Sequence, residues 1–145
     1  MASRRKAREL ALQMLFQWDV GQHSPEQVVA TFLTPRKLAP ETRQFACTLF
    51  EGAVREMGEL DGLLRSQAEH WRLERMAAVD RNILRLGLYE LLHSPEIPHP
   101  VVLDEALELA RRFSTMDSVS FINGILDGIL KSRAGIETSE SGAKP

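Results

Sequence analysis

Apolar residues recur every three to four positions along this 145-residue chain, and strict alternation is nearly absent. That period predicts helices throughout. The first runs over about 3–18, with Ala7, Leu10, Ala11, Met14, Leu15 and Trp18 on one face, and stops before Gly21. The second starts at Ser24-Pro25-Glu26-Gln27. Ser24 can cap it, Pro25 suits its first position, and Gln27 completes a capping box. Val28, Val29, Phe32 and Leu33 follow, and Thr34-Pro35 ends the run. A third helix begins near Pro40 and carries Phe45, Ala46, Leu49, Phe50, Ala53 and Val54, with Gly58 as its expected breaker. A short fourth covers about 60–68.

The fifth, over about 75–92, is apolar on almost every side, which predicts a central, buried helix. Residues 94–100 hold three prolines and read as an extended connector. The sixth helix turns Val102, Leu103, Ala106, Leu109, Ala110 and Phe113 inward. It leaves Asp104, Glu108, Arg111 and Arg112 outward at spacings that pair. The seventh begins at a cap, Asp117 or Ser118, and carries Phe121, Ile122, Ile125, Leu126 and Ile129. The expected fold is all-α, a bundle of about seven helices in two packed halves divided near Trp71. A single domain would span 1–131, and residues 132–145 would form a flexible C-terminal tail.

Charge changes this picture in one place. The chain carries a net charge of only −2, so any basic surface must be local. Arg4, Arg5, Lys6 and Arg8 all precede the first acid, Glu9. Cations at a helix start oppose the helix dipole, while a guanidinium fork suits a phosphate. Two readings are open: a solvated helix end, or a footprint for a polyanion. Leu12 and Phe16 lie one turn apart, away from the apolar face. Another helix covers them, or they dock a protein partner.

Composition excludes several classes. One cysteine, Cys47, allows no internal disulfide and fits a reducing compartment; its place on an apolar face reads as core. No apolar run approaches a membrane span, and no signal-peptide pattern opens the chain, so a cytoplasmic protein is expected. His23, His70, His93 and His99 show no metal-ligand spacing, and no glycine-rich phosphate loop appears. No catalytic residue, metal or cofactor is expected. Asn123-Gly124 is unfavourable inside a helix, which points to a close packing contact or a ligand.

Three blocks resemble one family. They are 4–13 (RRKARELALQ), 79–91 (VDRNILRLGLYEL), and 97–110 with 118–127 (SVSFINGILD). In order and spacing they are similar to the bacterial NusB transcription antitermination family, over about 3–131. The resemblance implies an all-helical fold of two three-helix-type halves. It implies binding of single-stranded boxA RNA in ribosomal RNA transcripts, with NusE as partner, in a complex with NusA, NusG and RNA polymerase. It implies that Arg4, Arg5, Lys6 and Arg8 form an arginine-rich RNA-binding motif, joined by Ser120, Phe121 and Asn123. It places Phe16 and Asp80 on a NusE-facing surface, to which the exposed-face reading adds Leu12. Phe121 is also spaced as a core residue. The family often has tyrosine at Phe16, lysine near Ser120 and glutamate at Asp80. Some members form homodimers that hide the RNA site. A related domain fronts certain ribosomal RNA cytosine methyltransferases, but no glycine-rich cofactor loop follows here.

Overall fold

In a computed structural model, the backbone is described over residues 2–68 and 72–143, and side chains over 4–68 and 72–133. The expected division near Trp71 lies outside the described residues, as does His70. Among the described residues there are seven α-helices, one 3-10 turn and no strand.

The first helix, α1 (Ala2–Val20), is built from strong helix formers and outlasts its expected end by two residues. α2 (Pro25–Leu33) begins as its sequence demands. Ser24 is extended, the Gln27 N–H donates to its Oγ at 3.2 Å, and the Gln27 side chain accepts from the Ser24 N–H at 2.8 Å. α3 (Pro40–Arg55) uses proline at its first turn. It ends at Glu56 rather than Gly58, where φ −96° and ψ 17° leave the helical region. Gly58 lies inside the first turn of α4 (Met57–Gln67).

A 3-10 turn (Leu73–Arg75) precedes α5 (Ala78–His93), so the expected start of α5 shifts past Met76 and Ala77, which are extended. α6 (His99–Phe113) absorbs Pro100 into its first turn, which shortens the expected connector. α7 (Met116–Ala143) is capped by neither expected residue: Thr115 Oγ1 accepts from the Ser118 N–H at 3.2 Å.

α5 is the axis. It packs against α1, α3, α4, α6 and α7, and every residue from Asn82 to Leu91 is buried. α1, α2 and α3 group on one side of it, and α4, α6 and α7 on the other. Gly87 lets α6 and α7 approach α5 closely: a Cβ there would lie 3.1 Å from Leu126 Cδ1 and 3.2 Å from the Ala106 Cβ.

α1 runs antiparallel to α5, and buried charge fixes its register. Near one end the Arg8 guanidinium donates to both Glu90 carboxylate oxygens, at 2.7 and 2.8 Å. Near the other, Asp19 accepts from Arg81 at 2.7 and 2.8 Å and from the Asn82 amide at 3.0 Å. Arg85 links that end to α4 through a forked pair with Asp61 at 2.8 and 2.9 Å. Burial pushes the Asp19 carboxyl up. The hydrogen bonds from Arg81 and Asn82 and the charges of Arg85 and Arg81 outweigh it and hold the group below the usual carboxylate range. Among the described residues, no buried side-chain nitrogen or oxygen lacks a hydrogen-bond partner.

Candidate nucleic-acid interface

The first turns of α1 present their cations unequally. Arg4, Arg5 and Lys6 are exposed, but Arg8 is 4% exposed and locked to Glu90. The expectation that Arg8 reaches a phosphate is therefore corrected. The second turn of α1 is sandwiched against α5, and Arg8 neutralises a buried carboxylate there. Arg5 is solvent-accessible but donates to both oxygens of Glu105 on α6, at 3.1 and 3.3 Å. That hydrogen bond and the charge of Glu105 raise its guanidinium pKa above the ordinary value. Among the described residues, Arg4 and Lys6 have no carboxylate partner. With Ile97, Val101, Glu9 and Glu105, the four cations line an open groove of ≈ 640 Å³ between α1 and α6. The uncompensated positive charge of the groove rests on Arg4 and Lys6, because Arg5 and Arg8 are paired with Glu105 and Glu90.

The α7 residues lie elsewhere. Ser120 and Asn123 are exposed, and Phe121 is half-buried. Phe121 lines a second groove, of ≈ 750 Å³, with Arg72, Arg75, Met76, Ala77, Asp80, Asp117 and Ser118. The cationic strip and Phe121 therefore belong to different concavities. The packing contact expected of Gly124 is absent, since a Cβ there meets nothing within 4 Å. Arg72 and Arg75 belong to no motif or amphipathic face in the sequence. Their position five and two residues before Ala77, in a charged turn leading into the central helix, is the signal that could have found them.

The expected partner face also divides. Phe16 is 40% exposed, as the helical wheel requires, but Leu12 is 2% exposed and belongs to the core. The correction has a plain cause: α1 packs on α2, α3 and α5 together, so it has little free circumference. Leu12 and Phe16 still share an apolar groove of ≈ 380 Å³ with Gln13, Gln17, Phe32, Val79 and Phe113. Asp80 is half-buried and accepts from the hydroxyls of Ser114 at 2.5 Å and Ser118 at 2.7 Å. It ties the start of α5 to the α6–α7 turn beside that groove.

Of the four outward acids and bases of α6, one pair forms within the helix as the spacing implied, Arg111 with Glu108 at 2.9 Å, and among the described residues Asp104 forms no ion pair. Arg112 reaches across to Glu9 at 2.9 Å. Cys47 is half-buried, and burial pushes its thiol up, away from a reactive thiolate. Among the described residues, folding brings together one donor set that spacing did not show, Glu56, Glu59 and His93, within 4.8 Å of one another. His93 and Glu59 are exposed, and already hydrogen-bonded to each other at 3.1 Å.

The fold is an all-helical bundle that displays cations at one end of α1 and an apolar groove beside Phe16. Its sequence matches the model of the NusB family over residues 5–131. It is 55% identical over 130 residues to the transcription antitermination protein NusB of Koribacter versatilis, covering 89% of each chain. The fold is similar to that of T. maritima NusB, with a TM-score of 0.83 at 36% identity, covering 88% of this chain and 90% of that one. It is similar also to NusB in a crystal structure of the antitermination factors NusB and NusE in complex with dsRNA. There the TM-score is 0.83 at 26% identity, over 91% of this chain and 98% of that one. The chain belongs to the NusB family of transcription antitermination factors and is not an enzyme. Among the described residues, no helix is long and apolar enough to cross a membrane.

Proposed function

We propose that this chain binds single-stranded boxA RNA of ribosomal RNA transcripts together with NusE. It would act in the cytoplasm as an adaptor in an antitermination complex with NusA, NusG and RNA polymerase. The observation that carries the reading is the pair of exposed, carboxylate-free cations, Arg4 and Lys6, in the α1–α6 groove. The relative of matching fold solved with NusE and dsRNA supports NusE and RNA as the partners. Arg4, Lys6 and Arg5 hold phosphates and set orientation. Arg8 supports the helix that presents them. Ser120, Phe121 and Asn123, on α7 and apart from the α1–α6 groove, offer the RNA a second contact, where an aromatic side chain suits an unpaired base. NusE docks at the apolar groove through Phe16. Leu12 forms the wall behind it, and Asp80 fixes the neighbouring turn. RNA and protein on adjacent surfaces raise each other's effective affinity.

The test is a titration of boxA RNA into the chain, with and without NusE, at two ionic strengths. Each phosphate contact to a single strand contributes a salt slope of about −0.7. Replacing Arg4 and Lys6 by alanine together should weaken binding and flatten that slope by about 1.4, with unfolding unchanged. An unaltered slope refutes the reading. Light scattering across concentrations shows whether the chain instead self-associates as a homodimer.

A further inference from the structure

The groove raises a question about Arg4. An arginine on the first turn of a helix loses side-chain freedom when it binds, and that loss opposes affinity. Arg5 and Arg8 are ordered by carboxylates, Glu105 and Glu90. A carboxylate orders a guanidinium by neutralising it, so it competes with any phosphate. Arg4 is ordered differently. Its guanidinium carbon lies over the ring of Phe45 on α3, 4.8 Å from the centroid, within cation–π range. The Arg8 guanidinium lies over the same ring at 5.4 Å. Two like charges at one ring would repel, but the forked Glu90 pair compensates Arg8. The stack therefore leaves one net charge at the ring, on Arg4.

We propose that Phe45 is a positioning residue for RNA binding. It holds Arg4 against the mouth of the α1–α6 groove while leaving the charge and outward N–H donors of Arg4 free for a phosphate. This rests on the reading that the groove takes single-stranded RNA. Phe45 itself is half-buried and packs against the core, so it need not touch the RNA. An aromatic ring suits this task because its attraction to a cation is short-ranged and carries no formal negative charge.

The experiment is a double-mutant cycle on the full chain with NusE and boxA RNA. Phe45→Leu keeps an apolar side chain but removes the ring. RNA affinity should fall about two- to fivefold, the size of an exposed cation–π contact. Phe45→Trp, which keeps a ring, should retain it. In an Arg4→Ala background, Phe45→Leu should change affinity by less than a factor of about 1.5, because a positioning effect has nothing left to position. Circular dichroism checks that each variant is folded at the titration temperature. The inference is overturned if Phe45→Leu binds RNA like the parent, or costs the same with and without Arg4. It is also overturned if Phe45→Trp binds as weakly as Phe45→Leu. The RNA reading fails separately, if the Arg4→Ala, Lys6→Ala pair leaves RNA binding and its salt slope unchanged.

Discussion

Replacing Arg8 by alanine separates scaffold from interface more sharply than any other change in the cationic segment. Both partners of the Arg8–Glu90 pair are nearly solvent-free, with side-chain exposures of 5% and 3%. Two short charge-assisted bonds hold them. Removing Arg8 leaves Glu90 buried without its counter-charge. Breaking such a pair costs about 3–5 kcal/mol. For a domain near this size each kcal/mol moves the midpoint by about 2–4 °C, so Arg8→Ala should lower Tm by about 6–20 °C. Replacing both partners by apolar residues, Arg8→Met with Glu90→Leu, should recover much of that loss, because no uncompensated charge then remains. Thermal unfolding followed by circular dichroism measures both. Any weakening of RNA binding by Arg8→Ala should vanish at temperatures where the variant is fully folded, and the salt slope should match the parent. A Tm within about 2 °C of the parent, or a flattened slope in a folded variant, would refute the account of Arg8 as a buried counter-ion.

Three further outcomes are expected. Phe16→Ala should weaken co-elution with NusE by roughly tenfold or more while leaving Tm nearly unchanged, since the ring is well exposed. Asp80→Ala strands the hydroxyls of Ser114 and Ser118 and should cost about 1–3 kcal/mol in denaturant unfolding, besides weakening NusE binding. The depressed Asp19 carboxyl sets an acid limb. Its stabilisation is present above the ordinary aspartate value near 3.9 and is lost as pH falls through the lower folded value. Asp19→Asn should therefore be less stable at neutral pH and lose less stability between about pH 5 and 3 in urea titrations.

The helices were legible because their signals are local. The capping box at Ser24 and Gln27 lies within four residues, and the greasy run of α5 announces its own burial. The exposed pair of Arg4 and Lys6, and the half-open Phe16, followed from position on one helix. What stayed hidden depends on partners distant in sequence. Glu90 is 82 residues from Arg8, and nothing near Arg8 marks it as internal. Leu12 looked exposed because one helical wheel cannot show that three other helices converge on α1. Arg72 and Arg75 join Phe121 only because α5 and α7 begin side by side. The break at Glu56 instead of Gly58 is a matter of backbone conformation, which glycine permits but does not compel.

The two ionic clasps on α1 make it a ruler. Arg8 and Asp19 are eleven residues apart, about 16 Å along the helix, and each is latched to α5. Deleting one residue between them would leave one clasp out of phase by about 100°. Either Arg4 and Lys6 would swing away from the α6 side, or Phe16 would turn from its groove. The interval between the Arg4–Lys6 groove and the Phe16 groove is thus counted in whole residues, and a change in the length of this segment cannot be absorbed by sliding.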